Sequence, residues 1–384
     1  MTDLERILPL WREMEAAGSD YVLATVVAVE GPSYRRPGAC MLMASGGRRA
    51  GTVSGGCLEA EIASHAWWLT EKGPSLHRYS TAADDGELPY GSGCGGVVYV
   101  LLERRATASP LLAAMEQAFL RRMPLAVATV IEGPAIGRRG FAGLGGVTAP
   151  AEVHNPALQE LAKKALAGGR SMEEHIVVDG IETRVWSNFR PARHGLWLFG
   201  AGDDAQPLVN MAKELGWYVT LADGRSHLAT NTRYPLADEV HVLPVRKMPP
   251  AGSAERLPVL VNLRSTDAAV LMSHSFEQDA RVLATLLPLD PPLAYIGVLG
   301  PRQRAHDLLV EVGRLLNEET APPAEVQIEQ RLARLYAPTG LDLGAEAPET
   351  IALSIAAEMQ KAFAAATALP LREVRAVQSA AASR

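Results

Sequence analysis

The stretch LWLFGAGDDAQPLV, residues 196–209, decides the fold of the second half of this chain. An apolar run typical of a buried strand ends at Phe199, and a helical stretch begins after Gly202. Gly200, Gly202 and Ala205 together fit the pattern G-x-G-x-x-(G/A). In such a turn the first glycine permits a tight bend, and the second leaves room for a phosphate near the backbone. The third small residue lets the helix pack closely on the strand. The stretch therefore predicts a strand, a phosphate-binding turn and a helix.

Asp223 lies where a dinucleotide-binding fold places a carboxylate. Asp223 ends the next apolar run, about 20 residues after Gly200, and a carboxylate there would accept hydrogen bonds from ribose hydroxyls. Asp203 and Asp204 favour the alternative, because two carboxylates beside a helix start would repel a pyrophosphate unless a cation or a basic side chain intervened. The sequence leaves open whether the turn holds a phosphate-bearing cofactor or only keeps the geometry of the fold.

Strands alternate with helical segments in the whole second half, which predicts parallel βαβ units. The predicted strands lie at 196–199, 217–223, 239–243, 259–263 and 294–300, and the predicted helices at 204–215, 276–287 and 302–315. We interpret this half as a Rossmann-like, doubly wound parallel sheet.

The first half also mixes helices and strands, and predicts a separate α/β domain. The predicted helices lie at 4–16, 58–69, 110–120 and 156–167, the strands at 21–29, 97–102 and 124–131, two hairpins at 40–53 and 175–186, and a loop at 133–150. We expect an N-terminal domain at 1–190, a C-terminal domain at 194–370, and a disordered tail at 371–384 that is rich in Ala and Ser.

Composition excludes several classes of protein. The chain has 384 residues, enough for two domains, and its net charge of −6 includes no broad basic field, so nucleic acid is not an expected partner. No apolar run is long enough to span a membrane, and the first residues lack an apolar signal core, so we expect a cytoplasmic protein without a membrane partner.

Two of the three cysteines lie in glycine-rich turns, Cys57 in SGGC before a helix and Cys94 in GSGCGG before a strand. We expect both turns to leave backbone N–H groups free and room around the sulfur. A thiol at a helix N-terminus is shifted toward thiolate, the form that binds a soft metal or transfers sulfur. The alternative is a small buried side chain in a tight turn. Cys40 starts an apolar strand, and we expect it in the core.

Arginine pairs offer further contacts for an anion. Arg35 and Arg36 lie in the turn GPSYRRPGA, and Arg302 and Arg304 lie at a predicted strand-to-helix turn, GPRQR. A guanidinium pair at a helix start suits a phosphate. The alternative is that these arginines are solvated surface residues.

His274, Glu277 and Asp279 follow a predicted strand, at the edge where parallel sheets place ligand contacts. They are candidates for acid/base chemistry, although sequence alone supplies no distance between them.

Taken together, the motifs resemble one family closely. The segments that carry the resemblance are GPSYRRPGACMLM, GTVSGGCLEAEI, GSGCGGVVYVLLE, LFGAGDDAQPLV, LMSHSFEQDARVL, YIGVLGPRQR and APTGLDLGAEAPETIALSIAAEM. They span nearly the whole chain and are similar to the XdhC/CoxI family, the accessory proteins of xanthine dehydrogenase and carbon monoxide dehydrogenase. One departure is Tyr34, which is bulkier than the family's common residue, and a close backbone contact is less expected there.

The resemblance implies a chaperone rather than an enzyme. Such proteins bind molybdenum cofactor (molybdopterin), support its sulfuration, and insert it into a molybdenum hydroxylase apo-enzyme of the xanthine dehydrogenase type. The implied partners are that apo-enzyme and a cysteine desulfurase, with a homodimer as the implied assembly. Carried over by motif, Cys57 and Cys94 would contact the metal or its sulfur, while the turn at Gly200 would hold the phosphate of the cofactor or of a nucleotide.

Two other functions stay open. A nicotinamide-dependent oxidoreductase would use Gly200, Gly202 and Asp223, although the sequence has no recognisable hydride-transfer constellation. A scaffold for protein partners would need no cofactor.

Overall fold

The computed structural model describes residues 2–56, 58–80, 96–143, 155–244, 257–316 and 325–374. The chain divides into two compact units, residues 1–193 and 194–384, which we call unit 1 and unit 2. Among the described residues, no helix is both long enough and apolar enough to cross a membrane.

Unit 1 contains two antiparallel sheets and four helices within its described residues. In chain order the elements are α1 (Asp3–Ala16), β1 (Tyr21–Glu30), β2 (Cys40–Ala44), β3 (Arg49–Gly51), α2 (Glu59–Leu69), β4 (Ser75–Ser80), β5 (Val97–Arg104), α3 (Arg105–Leu120), β6 (Leu125–Val130), β7 (Arg139–Ala142), α4 (Pro156–Gly168), β8 (Met172–Val178) and β9 (Ile181–Arg190). The strand orders are β3-β2-β1-β5-β4 and β7-β6-β9-β8. Unit 1 is thus a mixed α/β unit.

Local sequence explains where these elements begin and turn. Thr2 and Glu5 form a capping box at the start of α1, and the Asn155 side chain accepts the first N–H groups of α4. The hairpin β8–β9 turns at Asp179 and Gly180, which both have positive φ, as a two-residue hairpin loop requires.

The sequence missed two short strands of unit 1. β4 was not predicted, and β7 lies inside the stretch 133–150 that was predicted as a loop. In β7, Gly140 lies so close to the backbone of Leu158 in α4 that any side chain there would collide. Glycine weakens a strand signal, and here the tertiary packing requires it.

Unit 2 is built on a parallel five-stranded sheet with the order β12-β11-β10-β13-β14. Its described elements are β10 (Gly195–Phe199), α5 (Ala205–Glu214), β11 (Tyr218–Asp223), β12 (Glu239–Val242), β13 (Ala268–Leu271), α6 (Phe276–Leu286), β14 (Tyr295–Val298), α7 (Arg302–Leu315), α8 (Glu325–Leu332) and α9 (Pro348–Ala364). The strand order reverses between β10 and β13, where doubly wound sheets open their ligand crevice. The predicted Rossmann-like fold is confirmed.

Both faces of this sheet are covered. Along β10, Trp197 and Phe199 pack into a core with α6 and α7, whereas Leu196 and Leu198 pack into a second core with α5 and α9. A strand buried on both faces reads as a continuous apolar run, which is why the sequence identified it.

The strand predicted at 259–263 is wrong. Residues Pro258–Leu260 form a 3-10 turn, and the strand beside β10 is β13. Pro258 has no N–H for a ladder, and the Val259 carbonyl accepts the indole N–H of Trp197 at 2.7 Å instead of pairing with a strand.

The C-terminal segment extends the far edge of the sheet. Tyr336 forms a parallel bridge with Gly297 of β14, through bonds of 2.9 and 3.0 Å to Ile296 and Val298. Glu358 of α9 accepts the hydroxyl of Tyr295 at 2.6 Å and the N–H of Gly340 at 2.7 Å. The long C-terminal motif therefore covers the β14 edge. Residues 371–374 form one helical turn, and the rest of the tail predicted as disordered lies outside the described residues.

Candidate functional site

The turn after β10 has the shape that its glycines predict. Gly200 has φ +134°, and a Cβ there would lie 2.7 Å from the backbone of Met272. Only glycine meets both conditions, because other residues rarely adopt this φ and have no space for a side chain. Ala205 is fully buried at the start of α5, as its place in the motif requires.

A carboxylate occupies the space over Gly202. The Asp204 carboxylate lies where a Cβ of Gly202 would stand, and its Oδ2 is 3.7 Å from Nε2 of His274. The Tyr234 hydroxyl donates to the Gly202 carbonyl, and Arg233 pairs with the exposed Asp203. The open side of Gly202 is thus occupied by the side chain of Asp204 in this conformation.

Asp223 is also engaged by the protein itself. Its buried carboxylate accepts the N–H of Ala201 at 2.8 Å and several N–H groups of Arg225 at 2.7–3.0 Å. Burial alone would raise the pKa of Asp223, but the hydrogen bonds from Arg225 and Ala201 outweigh it and the pKa is lowered. Asp223, the residue predicted to accept hydrogen bonds from a ribose, thus holds the Gly200 turn against the end of β11.

A second buried acid lies in the first turn of α6, against the segment that follows β13. Asp279 is 1% exposed, and it accepts the Ser273 hydroxyl and the guanidinium of Arg304, the latter at 2.7 Å. Burial raises the pKa of Asp279 to about 6, against these hydrogen bonds. The neighbouring Gln278 accepts the N–H of Gly224 at 2.8 Å and so links α6 to the end of β11.

The other residues predicted at this edge do not join Asp279. His274 is 70% exposed and faces Asp204, and Glu277 pairs with Arg281 on the surface of α6. Arg302 is exposed and pairs with Glu329 at 3.3 Å, apart from Arg304. Arg302 and Arg304 therefore do not act as a pair. The three residues predicted as an acid/base group likewise contact different partners.

In unit 1, the turn before Cys57 is organised by Glu59. The Glu59 carboxylate accepts the N–H groups of Val53, Ser54, Gly55 and Gly56 at 2.8–3.2 Å, and the hydroxyls of Thr52 and Ser54. Burial favours a higher pKa, but the bonds from Ser54, Thr52 and the backbone hold the pKa of Glu59 at about 2.

The expectation of free N–H groups in this turn is wrong, because residues 54–56 donate theirs to Glu59. Glu59 was not among the candidate site residues predicted from the sequence. An acid three residues after a Ser-Gly-Gly run was the available signal, since successive N–H groups of such a run converge on one anion.

Two further segments of unit 1 come together at this turn. The ring of Tyr34 lies 3.8 Å from the Cβ position of Gly55, and a side chain at Gly96 would collide with the Pro32 carbonyl. The bulk of Tyr34 projects outward, because 80% of the residue is exposed. Gly55 and Gly96, each two residues from a glycine-framed cysteine, thus lie against the segment that begins at Pro32.

Cys57 and Cys94 themselves lie outside the described residues. Among those described, no group of three or more His, Cys, Asp or Glu side chains could hold a metal ion. Arg35 pairs with Asp3, and Arg36 is exposed. Cys40 is buried, as its strand position predicted.

Comparison with known proteins matches both units. Residues 14–80 match the XdhC and CoxI family, and residues 196–359 match the XdhC Rossmann domain. The chain belongs to the XdhC/CoxI family. The resemblance inferred from its motifs is confirmed.

Relatives of this XdhC/CoxI protein carry related names. A protein of Bacillus subtilis (strain 168), named as a probable subunit of xanthine dehydrogenase, is 29% identical over 352 residues, which cover 88% of this chain and 92% of the relative. The molybdenum cofactor insertion chaperone PaoD of Escherichia coli (strain K12) is 34% identical over 127 residues, 30% of this chain and 37% of PaoD. A crystal structure from Bacillus halodurans, described as a xanthine dehydrogenase, superposes with a TM-score of 0.70 at 27% identity and covers 95% of this chain and 96% of that one.

Proposed function

We propose that this protein binds molybdenum cofactor, supports its sulfuration, and inserts it into a xanthine dehydrogenase-type molybdenum hydroxylase. Membership of the XdhC/CoxI family and the relative named as a cofactor insertion chaperone both support an accessory role in enzyme maturation. The match to PaoD carries the insertion part of the proposal, because its name states molybdenum cofactor insertion. The partners on this proposal are the apo-enzyme and a cysteine desulfurase, and the protein acts as a cytoplasmic homodimer.

The residues of unit 1 fit a cofactor that ends in a soft metal. Cys57 and Cys94 would contact the metal or its sulfur, since thiolates are the donors that soft metals prefer. Gly56 has open space on the side where a side chain would stand, and Glu59 fixes the backbone up to that residue. When bound, the cofactor supplies the molybdenum centre. The protein supplies a preorganised turn, so little ordering of the chain is needed on binding.

The Gly200 turn of unit 2 would hold a phosphate on one condition. Gly200, Gly202 and Ala205 form the turn, and Asp204 must leave Gly202 before a phosphate can lie there. The same condition weighs against a nicotinamide oxidoreductase, whose dinucleotide would also need Asp223 as a ribose acceptor while Arg225 and Ala201 already bind it.

Anaerobic retention of cofactor tests the proposal. Purified protein is mixed with released cofactor, separated from free ligand, and analysed for molybdenum and pterin. We expect retention in stoichiometric proportion by the wild type, and loss in Cys57→Ala and in Cys94→Ala. Cys40→Ala is the matched control, because it removes a buried thiol and should retain the cofactor.

The outcomes separate the alternatives. Unchanged retention in both test variants would remove the thiols from the mechanism. No retention by the wild type, together with a stable complex with the apo-hydroxylase, would favour a scaffold that needs no cofactor. Saturable binding of NAD(H) or NADP(H) by the wild type would favour the oxidoreductase.

A further inference from the structure

A small cavity lies between the two sheets of unit 1, away from the glycine turns. Its volume is about 10 Å³, and its polar lining consists of Thr25, Cys40, Thr129, Arg139, Asn188 and Arg190. These residues come from β1, β2, β6, β7 and β9, so both sheets contribute. A polar space of this size accommodates one small polar or ionic particle.

The lining is rich in hydrogen-bond donors. Arg139 is 3% exposed, and its terminal nitrogens bind the Glu103 carboxylate, the Thr107 carbonyl at 2.9 Å and the Gly137 carbonyl at 3.1 Å. Its Nε–H has no partner among the described residues. A guanidinium nitrogen can only donate, so a buried N–H without an acceptor costs free energy unless a ligand accepts from it.

Arg190 adds a positive charge that no carboxylate of the described residues neutralises. Its guanidinium donates to the Gly38 carbonyl at 2.6 Å and lies 3.6 Å from Sγ of Cys40, and no carboxylate of the described chain is within ion-pair distance. Arg139, by contrast, is neutralised by the buried Glu103. Among the described residues that line the cavity, Arg190 is therefore a cation that no carboxylate pairs with.

Hydroxyl groups from both sheets complete the set of donors. Thr25 and Thr129 are each 4% exposed, and Thr25 Oγ1 lies 3.7 Å from the Cys40 thiol. A water molecule could donate to the threonine hydroxyls or to the Asn188 oxygen, but it would leave the charge of Arg190 unbalanced. A monovalent anion accepts from every donor and also balances that charge. We infer that this cavity binds a single halide-sized monovalent anion between the two sheets of unit 1.

The probe for this site is bromide, because it scatters anomalously. Crystals of the full chain grown without chloride and with sodium bromide should show one anomalous peak in the cavity, within hydrogen-bonding reach of Arg190 and a threonine hydroxyl. A cavity with only water-level density and no anomalous signal would overturn the inference.

Thermal unfolding gives a second readout in solution. At constant ionic strength, replacing sodium gluconate by sodium bromide should raise the Tm of the wild type, since gluconate is too large for the cavity and a ligand of the folded state stabilises it. Arg190→Gln and Thr129→Val should both reduce the rise. Thr129→Val keeps the shape and charge of the site, so it remains informative if Arg190→Gln does not fold.

Arg138→Gln is the matched control, because it removes an exposed arginine of the same unit that pairs with Asp179. It should keep the full rise in Tm. An equal bromide response in all four proteins would show that the anion acts elsewhere and would refute the site.

Discussion

Replacing Glu59 by Gln tests whether this carboxylate organises the turn before Cys57. The substitution keeps the shape of the side chain and removes its charge. The amide nitrogen of Gln can donate but cannot accept. Several backbone N–H groups of residues 53–56 therefore lose the oxygen that accepts from them. Loss of buried or partly buried acceptors destabilises the folded state.

The lowered pKa of Glu59 gives the magnitude of the expected destabilisation. A shift from an ordinary value of 4.5 to about 2 corresponds to about 3 kcal/mol at 1.36 kcal/mol per unit. Because Glu59 is partly exposed, solvent screening reduces this figure, and we expect Glu59→Gln to lower the free energy of unfolding by about 1–2 kcal/mol at pH 7.

The pH dependence has a defined sign. The folded-state pKa of Glu59 is depressed, so its stabilisation is complete above the unfolded value near 4.5 and disappears as pH falls toward about 2. Urea unfolding of the wild type and the variant should therefore differ at pH 7 and converge toward pH 3. Glu71→Gln, at an exposed residue beyond the same helix, is the control and should match the wild type at both pH values. Equal stability of Glu59→Gln and the wild type at pH 7 would refute the reasoning.

Three predictions concern unit 2. Gly200→Ala should lower the free energy of unfolding by about 2 kcal/mol or more, because its φ and the nearby Met272 backbone exclude a side chain; an unchanged urea midpoint would contradict this. Asp204→Ala should create calorimetrically measurable pyrophosphate binding that the exposed control Asp203→Ala lacks, and equal heats from both variants would show that Asp204 does not exclude phosphate. The folded-state pKa of Asp279 is raised to about 6, so wild-type stability should fall by about 2 kcal/mol between pH 4 and 7 relative to Asp279→Asn, measured by urea unfolding. A constant difference across that range would contradict the raised pKa.

Sequence patterns predicted the elements whose own residues determine them. The apolar sequence of β10 predicts a strand that is buried on both faces, and Gly200 predicts the bend that follows it. Helix α7 begins and ends where the pattern placed it, at Arg302–Leu315. A strand end was predicted before His274, but no bounds were predicted for β13, because its sequence AAVL is short and half alanine, and alanine does not favour a strand. Its position comes from pairing with β10 on one side and β14 on the other.

The site was less predictable, because its residues act through partners distant in sequence. The Asp203–Asp204 pair suggested a conflict with phosphate, and only the fold shows that the Asp204 side chain lies over Gly202. Asp279 was identified by its place after a strand, whereas its partner Arg304 comes from the next helix. The cavity between the sheets could not be predicted from the sequence, because Thr25, Thr129 and Arg190 become neighbours only after the two sheets pack.

The bridge at Tyr336 has a consequence for shortened forms of the chain. It occupies backbone groups on the outer side of β14, and Glu358 ties the following loop to the last long helix. A chain ending before Tyr336 would leave those N–H and C=O groups bare on an apolar strand, a template for pairing with another molecule. Truncation at this point should therefore yield a protein that self-associates, even though all five strands of the parallel sheet remain.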